Sequence, residues 1–273
     1  MTAWLIANQG LARMAIVGGL LVLLLAWQQW RPRRAVAGGT RRRFRNIAMT
    51  LVSSALVYLI LPATAVAFAA QIADTGFGLF NSLSWPVGVE IVAGVILLDL
   101  AIYWQHRWSH RVPVLWRLHR VHHSDIAFDA TLGLRFHPAE ILLSLLYKLA
   151  LVAVLGIAPL TMLFYEILLA SFALFTHADV AIAPQWDRRL RRVFVTPDWH
   201  RVHHSVHRDE TDSNYGNILG IWDHLFTSYR AQPREGHLAM EIGLAQFRDA
   251  QAQTLPALLR QPLVSVPVVT SHR

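Results

Sequence analysis

Cysteine is absent from the 273 residues. That excludes disulfides, thiolate metal ligands, iron–sulfur clusters and a cysteine nucleophile, and it says little about redox compartment. Charge is scarce: charged residues make up 15 % of the chain, 17 acidic against 25 basic, for a formal net charge of +8. No Gly-x-Gly-x-x-Gly follows a strand pattern and no phosphate-binding loop is present, so no nicotinamide or nucleotide site is expected within the chain. His-Glu-x-x-His, the helical zinc-hydrolase pattern, is missing too. Apart from one hexapeptide nothing repeats, which excludes a solenoid.

What is abundant is apolar. Hydrophobic residues make up 54 % and there are ten tryptophans, a composition that points to an all-α, integral membrane helical bundle. Apolar spans run over Leu11–Trp30, Ile47–Ala70 (bent near Pro62), Val87–Trp104, Ile141–Ala158 and Pro159–Phe175. The last two form a hairpin that either crosses or re-enters, giving four to five membrane helices. Arg31, Arg33 and Arg34 follow the first span, where a cleaved signal peptide would carry its charges in front. The basic residues are nearly all arginine. Arg41, Arg42, Arg43 and Arg45 lie between two spans, where such residues follow the positive-inside bias and meet anionic lipid rather than nucleic acid. The expected organisation is N-terminal membrane helices with a basic cytoplasmic loop over 1–86, a second unit over 87–263 that carries most of the histidines and a loose tail over 264–273. The expected location is a membrane crossed several times, with a helical cap facing the cytoplasm; the family resemblance given below implies a bacterial inner membrane. In the more polar tail from Ala231, Leu255 to Leu263 reads as a short amphipathic interfacial segment.

Four ionisable residues fall inside the spans: Glu90, Asp99, Lys148 and Glu166. Each costs a few kcal/mol in lipid unless paired or hydrated. Lys148 and Glu166 lie at depths that differ by only ~5 Å across the hairpin, which predicts that they pair. Glu90 is expected to snorkel to the nearby outer surface, where a polar loop spans Gln71 to Pro86. Asp99 sits seven residues before His106 and ~10 Å deeper. It either orients a metal-bound histidine from behind or makes an interhelical hydrogen bond.

The hexapeptide that recurs is His-Arg-Val-His-His-Ser, at 119–124 and again at 200–205. Residues three and four apart share one helix face, so His119, His122 and His123 form one box and His200, His203 and His204 another. His106 and His110 add an i, i+4 pair. A lone helical histidine is usually a satisfied surface or core residue, but the same triple twice beside a third pair is hard to assign to packing. Neutral imidazole is the commonest protein metal ligand. A single zinc takes about four ligands, so eight imidazoles suggest two metal ions. Spacing alone does not name the metal, because imidazole also suits zinc, copper and nickel. Thr196-Pro197-Asp198 reads as a helix start, which places the last box near a defined helix end.

Three other chemistries compete. A membrane zinc hydrolase needs about three protein ligands and a general-base carboxylate. A metal transporter places its ligands near the bilayer midplane, and a haem protein uses single axial histidines within spans. A centre just beneath the membrane surface, reached from the bilayer, fits oxidation of a hydrophobic substrate better.

The order His-x-x-x-His (106, 110), His-x-x-His-His (119, 122, 123) and His-x-x-His-His (200, 203, 204) resembles the fatty acid hydroxylase and sterol desaturase superfamily, in its bacterial form. Matching flanks are Leu98-Asp99 through His110, Arg135 to Glu140, Thr196-Pro197-Asp198, Asn214-Tyr215-Gly216-Asn217 and Trp222-Asp223. The family commonly reads Leu-Phe-Gly-Thr-Tyr where this chain has Leu225 to Tyr229. The resemblance implies two iron ions (zinc as a possible substitute), O2 and a membrane lipid substrate. It also implies electrons from an external ferredoxin- or cytochrome-type partner with its reductase. Family members often carry further ligands, and His177 and then His137 are the candidates here, with His207 one turn past His203 a weaker one. Asp99 and Asp198 are candidates for orienting ligands. His224, His237 and His272 stand alone and are left out.

Overall fold

A computed structural model of the chain describes residues 2–34, 39–61 and 64–265. Among them the regular structure is helical, with only isolated bridges of strand type. The chain begins with α1 (Thr2–Ala7) and α2 (Gln9–Trp30), followed by α3 (Thr40–Ile60) and α4 (Ala65–Thr75). α5 (Val87–Arg111) leads into α6 (Pro113–His123), and α7 (Pro138–Leu155) and α8 (Pro159–Thr176) form the hairpin. Six short helices follow: α9 (Pro184–Leu190), α10 (Pro197–His203), α11 (Arg208–Thr211), α12 (Ile221–Leu225), α13 (Gly236–Ala239) and α14 (Leu255–Arg260). Five stretches are long and apolar enough to cross a membrane: Gln9–Trp30, Thr40–Ser82, Val87–Arg111, Pro138–Leu155 and Pro159–Thr176.

The expected second span is two helices rather than one bent helix. Leu61 takes φ −132° and ψ 87° and ends α3, as a residue that precedes a proline in sequence disfavours the helical region. Thr64 then caps α4 by accepting from the Ala67 N–H at 3.1 Å. Pro62 itself lies outside the described residues. α4 continues to Thr75 and closes on Gly76 in the left-handed region, so the polar loop starts later than expected.

α3 also begins earlier than the apolar run, and the arginines ahead of the run are helical. Arg42, Arg43 and Arg45 face the cap rather than lipid alone. Arg42 is buried against Asp125 at 2.6 Å and pairs with Asp129, which also takes Arg43 at 2.9 Å. Arg45 donates to the Gln253 carbonyl, and Arg33 pairs with Asp198 at 3.1 Å. The basic linker thus ties the membrane helices to the cap.

α5 has 25 residues, which at the helical rise is about 37 Å and exceeds the ~30 Å hydrocarbon. The excess is about 7 Å, so roughly the last five residues, His110 among them, outrun a hydrocarbon layer that starts at Val87, and His106 falls at its edge. Val112 ends it, and Pro113 at the first position of α6 turns the chain back. The α7–α8 hairpin closes through Gly156 in the left-handed region. A Cβ on Gly78 would meet the Gly156 Cα at 2.4 Å, so the loop after α4 packs on this turn through bare backbone.

The ionisable groups in the spans have partners. Lys148 pairs with Glu166 at 3.4 Å as expected, and Arg13 also pairs with Glu166. Glu90 does not merely snorkel: its carboxylate accepts from the Ala158 N–H at 3.2 Å, just ahead of α8. α14 is a cap element rather than a free interfacial segment, since Leu258 is buried against Met49 and Val121. Beyond Ser265, the tail lies outside the described residues.

Candidate metal centre

The three helix ends that carry the boxes converge. His106, His110, His119, His123 and His203 form one group, and His122, His177, His200 and His204 a second. Within each group the ligand nitrogens all lie within 4.8 Å of one another. The groups adjoin, with the His123 and His204 rings stacked at 4.5 Å. All eight box histidines are thus brought together, and His177, at the end of α8, joins them.

Each box is aimed by local structure. The i, i+3, i+4 spacing on α6 splits its histidines between the groups: His119 and His123 turn to one, His122 to the other. Thr196 accepts from the Trp199 N–H and Pro197 opens α10, which places His200 in the first turn and His204 at the end. His177 caps α8, and its Nδ1 donates to the Ala173 carbonyl at 2.6 Å.

The outer nitrogens assign the tautomers. A carbonyl only accepts, so a ring nitrogen bonded to one carries the proton and leaves the other nitrogen with a bare lone pair. His106 Nδ1 donates to the Tyr215 carbonyl at 2.7 Å, and His203 Nδ1 to the Ser213 carbonyl at 2.7 Å. His119 Nδ1 meets Glu140 at 2.6 Å, and His110 Nδ1 meets Asp212 at 3.3 Å. The inward Nε2 atoms of His106, His110 and His203 are buried with no hydrogen-bond partner. In the second group His177 Nε2 lies 3.1 Å from His122, 3.0 Å from His204 and 3.1 Å from His200, Nε2 to Nε2 in each case. One bare lone pair accepts one hydrogen, so this convergence is not satisfied by hydrogen bonds. It is what metal ions at the two points satisfy. Burial first, and then the neighbouring imidazoles, hold His122, His123, His200, His203 and His204 well below the ordinary histidine value. Neutral imidazole is the ligating form. The donor set therefore fits two divalent ions.

The remaining predicted residues sit elsewhere. His137 caps α7, its Nδ1 accepting from the Ala139 N–H at 3.2 Å while Nε2 donates to the Leu259 carbonyl at 3.1 Å. Both nitrogens are occupied, and it is in neither group. His207 pairs with Glu235 at the surface. Asp99 touches no histidine; it accepts from the Ile218 and Leu219 N–H groups and from Trp222 Nε1 at 2.8 Å. Asp198 binds Arg33 and Arg201. Their role is to fix cap segments.

The groups that do orient the ligands are Glu140, Asp212, two backbone carbonyls of the 212–217 turn and the Ala173 carbonyl. Sequence reasoning missed them. The available signal was a carboxylate in the first turn of a proline-started helix beside the boxes, which describes Glu140. The turn is itself held by Asp223, which accepts from the Tyr215 N–H at 2.8 Å, the Gly216 N–H at 2.9 Å and Trp199 Nε1 at 3.3 Å. Asn214 takes φ +55° in it, and its side chain bonds the Trp199 and Arg230 carbonyls. Replacing Glu140 with Gln keeps the shape and removes the charge behind His119. Metal affinity of the five-histidine group should fall about 10- to 100-fold, read by titrating the apoprotein with a coloured divalent ion. Unchanged affinity would show that Glu140 does not tune the ligand.

A cavity of about 620 Å³ starts at His106, His119, His122, His177 and His200 and runs between the membrane helices past Ile102, Leu145 and Leu169. The donors therefore face an apolar chamber.

The fatty acid hydroxylase model matches residues 91–228, a stretch that contains both histidine groups. Among curated proteins the chain is 33 % identical over 214 residues to the ornithine lipid hydroxylase OlsE of Rhizobium tropici, covering 74 % of this chain and 61 % of that one. It is 29 % identical over 156 residues to the alkylglycerol monooxygenase of Homo sapiens (57 % and 34 % covered). It is 26 % identical over 190 residues to the Delta(7)-sterol 5(6)-desaturase of Candida dubliniensis (69 % and 45 %). The chain thus spans between about a third and three fifths of the length of these relatives. No solved structure shows significant similarity. With the matched half of the chain holding every box histidine in order, the protein belongs to the fatty acid hydroxylase family.

Proposed function

We propose that the protein is a membrane-bound, O2-dependent oxidoreductase that hydroxylates or desaturates a lipid chain at a centre of two iron ions. The observation that carries this reading is the junction of two buried imidazole groups with an apolar cavity between membrane helices. Iron held by neutral imidazoles supplies oxidation of an unactivated C–H bond with O2; zinc fits the same nitrogens. The relatives are named as a lipid hydroxylase, a monooxygenase and a desaturase, and these chemistries share a requirement for hydrogen removal from carbon.

The chain's own residues perform the rest. His106, His110, His119, His123 and His203 would hold one ion and His122, His177, His200 and His204 the other. Glu140, Asp212 and the Ser213, Tyr215 and Ala173 carbonyls keep the protons on the outer nitrogens. Ile102, Leu145 and Leu169 exclude water and guide an alkyl chain toward the histidines. Electrons come from a separate ferredoxin- or cytochrome-type donor with its reductase, approaching the cap. The arginines on the cap side orient that face to the cytoplasm under the positive-inside bias, as in a bacterial inner membrane.

The test is labelled O2. Iron-loaded protein in lipid vesicles, with a chemical reductant, should transfer labelled oxygen into lipid or remove two hydrogens from a chain. Oxygen-independent lipid cleavage by zinc-loaded protein would establish a hydrolase instead, and metal flux across the vesicle a transporter.

A further inference from the structure

Three charged side chains line the cavity well away from the histidines. Lys148 of α7 and Glu166 of α8 pair at 3.4 Å, and Arg13 of α2 pairs with the same carboxylate. All three border the cavity that ends on the metal groups. Lys148 is the only lysine in the chain.

A structural ion pair in a membrane needs one cation for one carboxylate. Here two cations meet one, and a positive charge is left over. An uncompensated cation at this depth costs at least about 2.5 kcal/mol in hydrocarbon. Donors are also left over. Arg13 Nε is buried with no hydrogen-bond partner. Lys148 has three donors and gives one to Glu166. Excess positive charge with free donors on a cavity wall is the chemistry that takes an anion.

The spacing says where that anion sits on a ligand. Lys148 is eight residues beyond Glu140, which holds His119; that is about 12 Å of helix. Glu166 is eleven residues before His177, about 16 Å. We propose that Lys148 and Arg13, clamped by Glu166, form a subsite for the acidic end group of a single-chain lipid. A carbon roughly ten methylenes from that group would then lie at the histidines. The cavity has the size that one small ligand fills. The proposal rests on the lipid-oxygenase reading, whose substrate class it narrows.

Binding of lipid to the full chain in neutral phosphatidylcholine discs tests it, read as displacement of a spin-labelled fatty acid from metal-free protein. Palmitate, hexadecyl phosphate and methyl palmitate are compared. At least one acidic probe should bind about tenfold or more tightly than the ester, and the better acid identifies carboxylate or phosphate as the natural group. Lys148→Met should abolish that preference, and Lys148→Arg should restore it. Equal binding of acids and ester, or an intact preference in Lys148→Met, would overturn the subsite. Should Lys148→Met fail to fold, Arg13→Gln on the peripheral α2 gives the same readout and must weaken the preference. A wild-type chain that oxidises lipid with O2 yet shows no preference for the acids would sink the subsite alone. A persistent preference without O2-dependent oxidation would sink the oxygenase reading alone.

Discussion

Replacing His177 with alanine should lower lipid oxidation by more than about 100-fold, beyond the 10- to 100-fold loss typical of groups that merely support a ligand. His177 Nε2 lies within 3.1 Å of three other imidazole nitrogens, and Nδ1 is locked to the Ala173 carbonyl. Its ring is the fourth donor of its group, and without it three remain. The variant should bind one metal ion firmly and the other weakly, since a stable site needs about four ligands. The contrast is His137→Ala. That side chain caps α7 and holds Leu259, so its loss should cost about 0.5–2 kcal/mol of stability and leave metal content unchanged. Metal analysis and turnover of the two variants side by side check this. Full turnover with two ions in His177→Ala would remove it from the centre.

Replacing Asp223 with alanine should be the more damaging change to the fold, although Asp223 touches no histidine. Its buried carboxylate accepts from two backbone N–H groups, the Trp199 indole and the Ser228 hydroxyl. Each buried donor left without an acceptor costs about 1–3 kcal/mol, so the loss should exceed about 3 kcal/mol unless water enters. The same turn presents the Ser213 and Tyr215 carbonyls to His203 and His106. Loosening it should therefore lower metal affinity of the five-histidine group about 10- to 100-fold. Thermal unfolding of the metal-free and metal-loaded variant measures both effects. A melting midpoint equal to that of the wild type would mean that the turn is held by something else.

The two effects differ in how far the chain announces them. The box histidines are legible because helical spacing is a property of the sequence: 106 and 110, or 119, 122 and 123, share a face before any packing is known. His177 is legible more weakly, through its place at the end of an apolar span. The carbonyls of Ser213 and Tyr215 have no sequence signature at all, because every residue carries one. Which carbonyl meets which ring depends on how Asp223 and Asn214 fold the turn, and that is tertiary. The same limit explains the arginines. Charge counting places Arg41 to Arg45 beside the membrane, but only the approach of α3 to the loop after α6 shows that Arg42 is buried on Asp125 and Asp129. The Lys148–Glu166 pair was accessible from sequence because a tight hairpin fixes relative depth by residue count alone. The split of the second span into α3 and α4 was half accessible: Pro62 marks the place, while the Thr64 cap decides that a second helix restarts there.

Everything proposed for this protein depends on the two imidazole groups each holding an ion. The direct measurement is the iron content of the purified full chain after anaerobic loading with ferrous iron, with Mössbauer spectra to show whether the ions are neighbours. Two firmly bound, magnetically coupled irons per chain are the predicted result. A folded chain that retains one ion or none, or two that show no coupling, would contradict it.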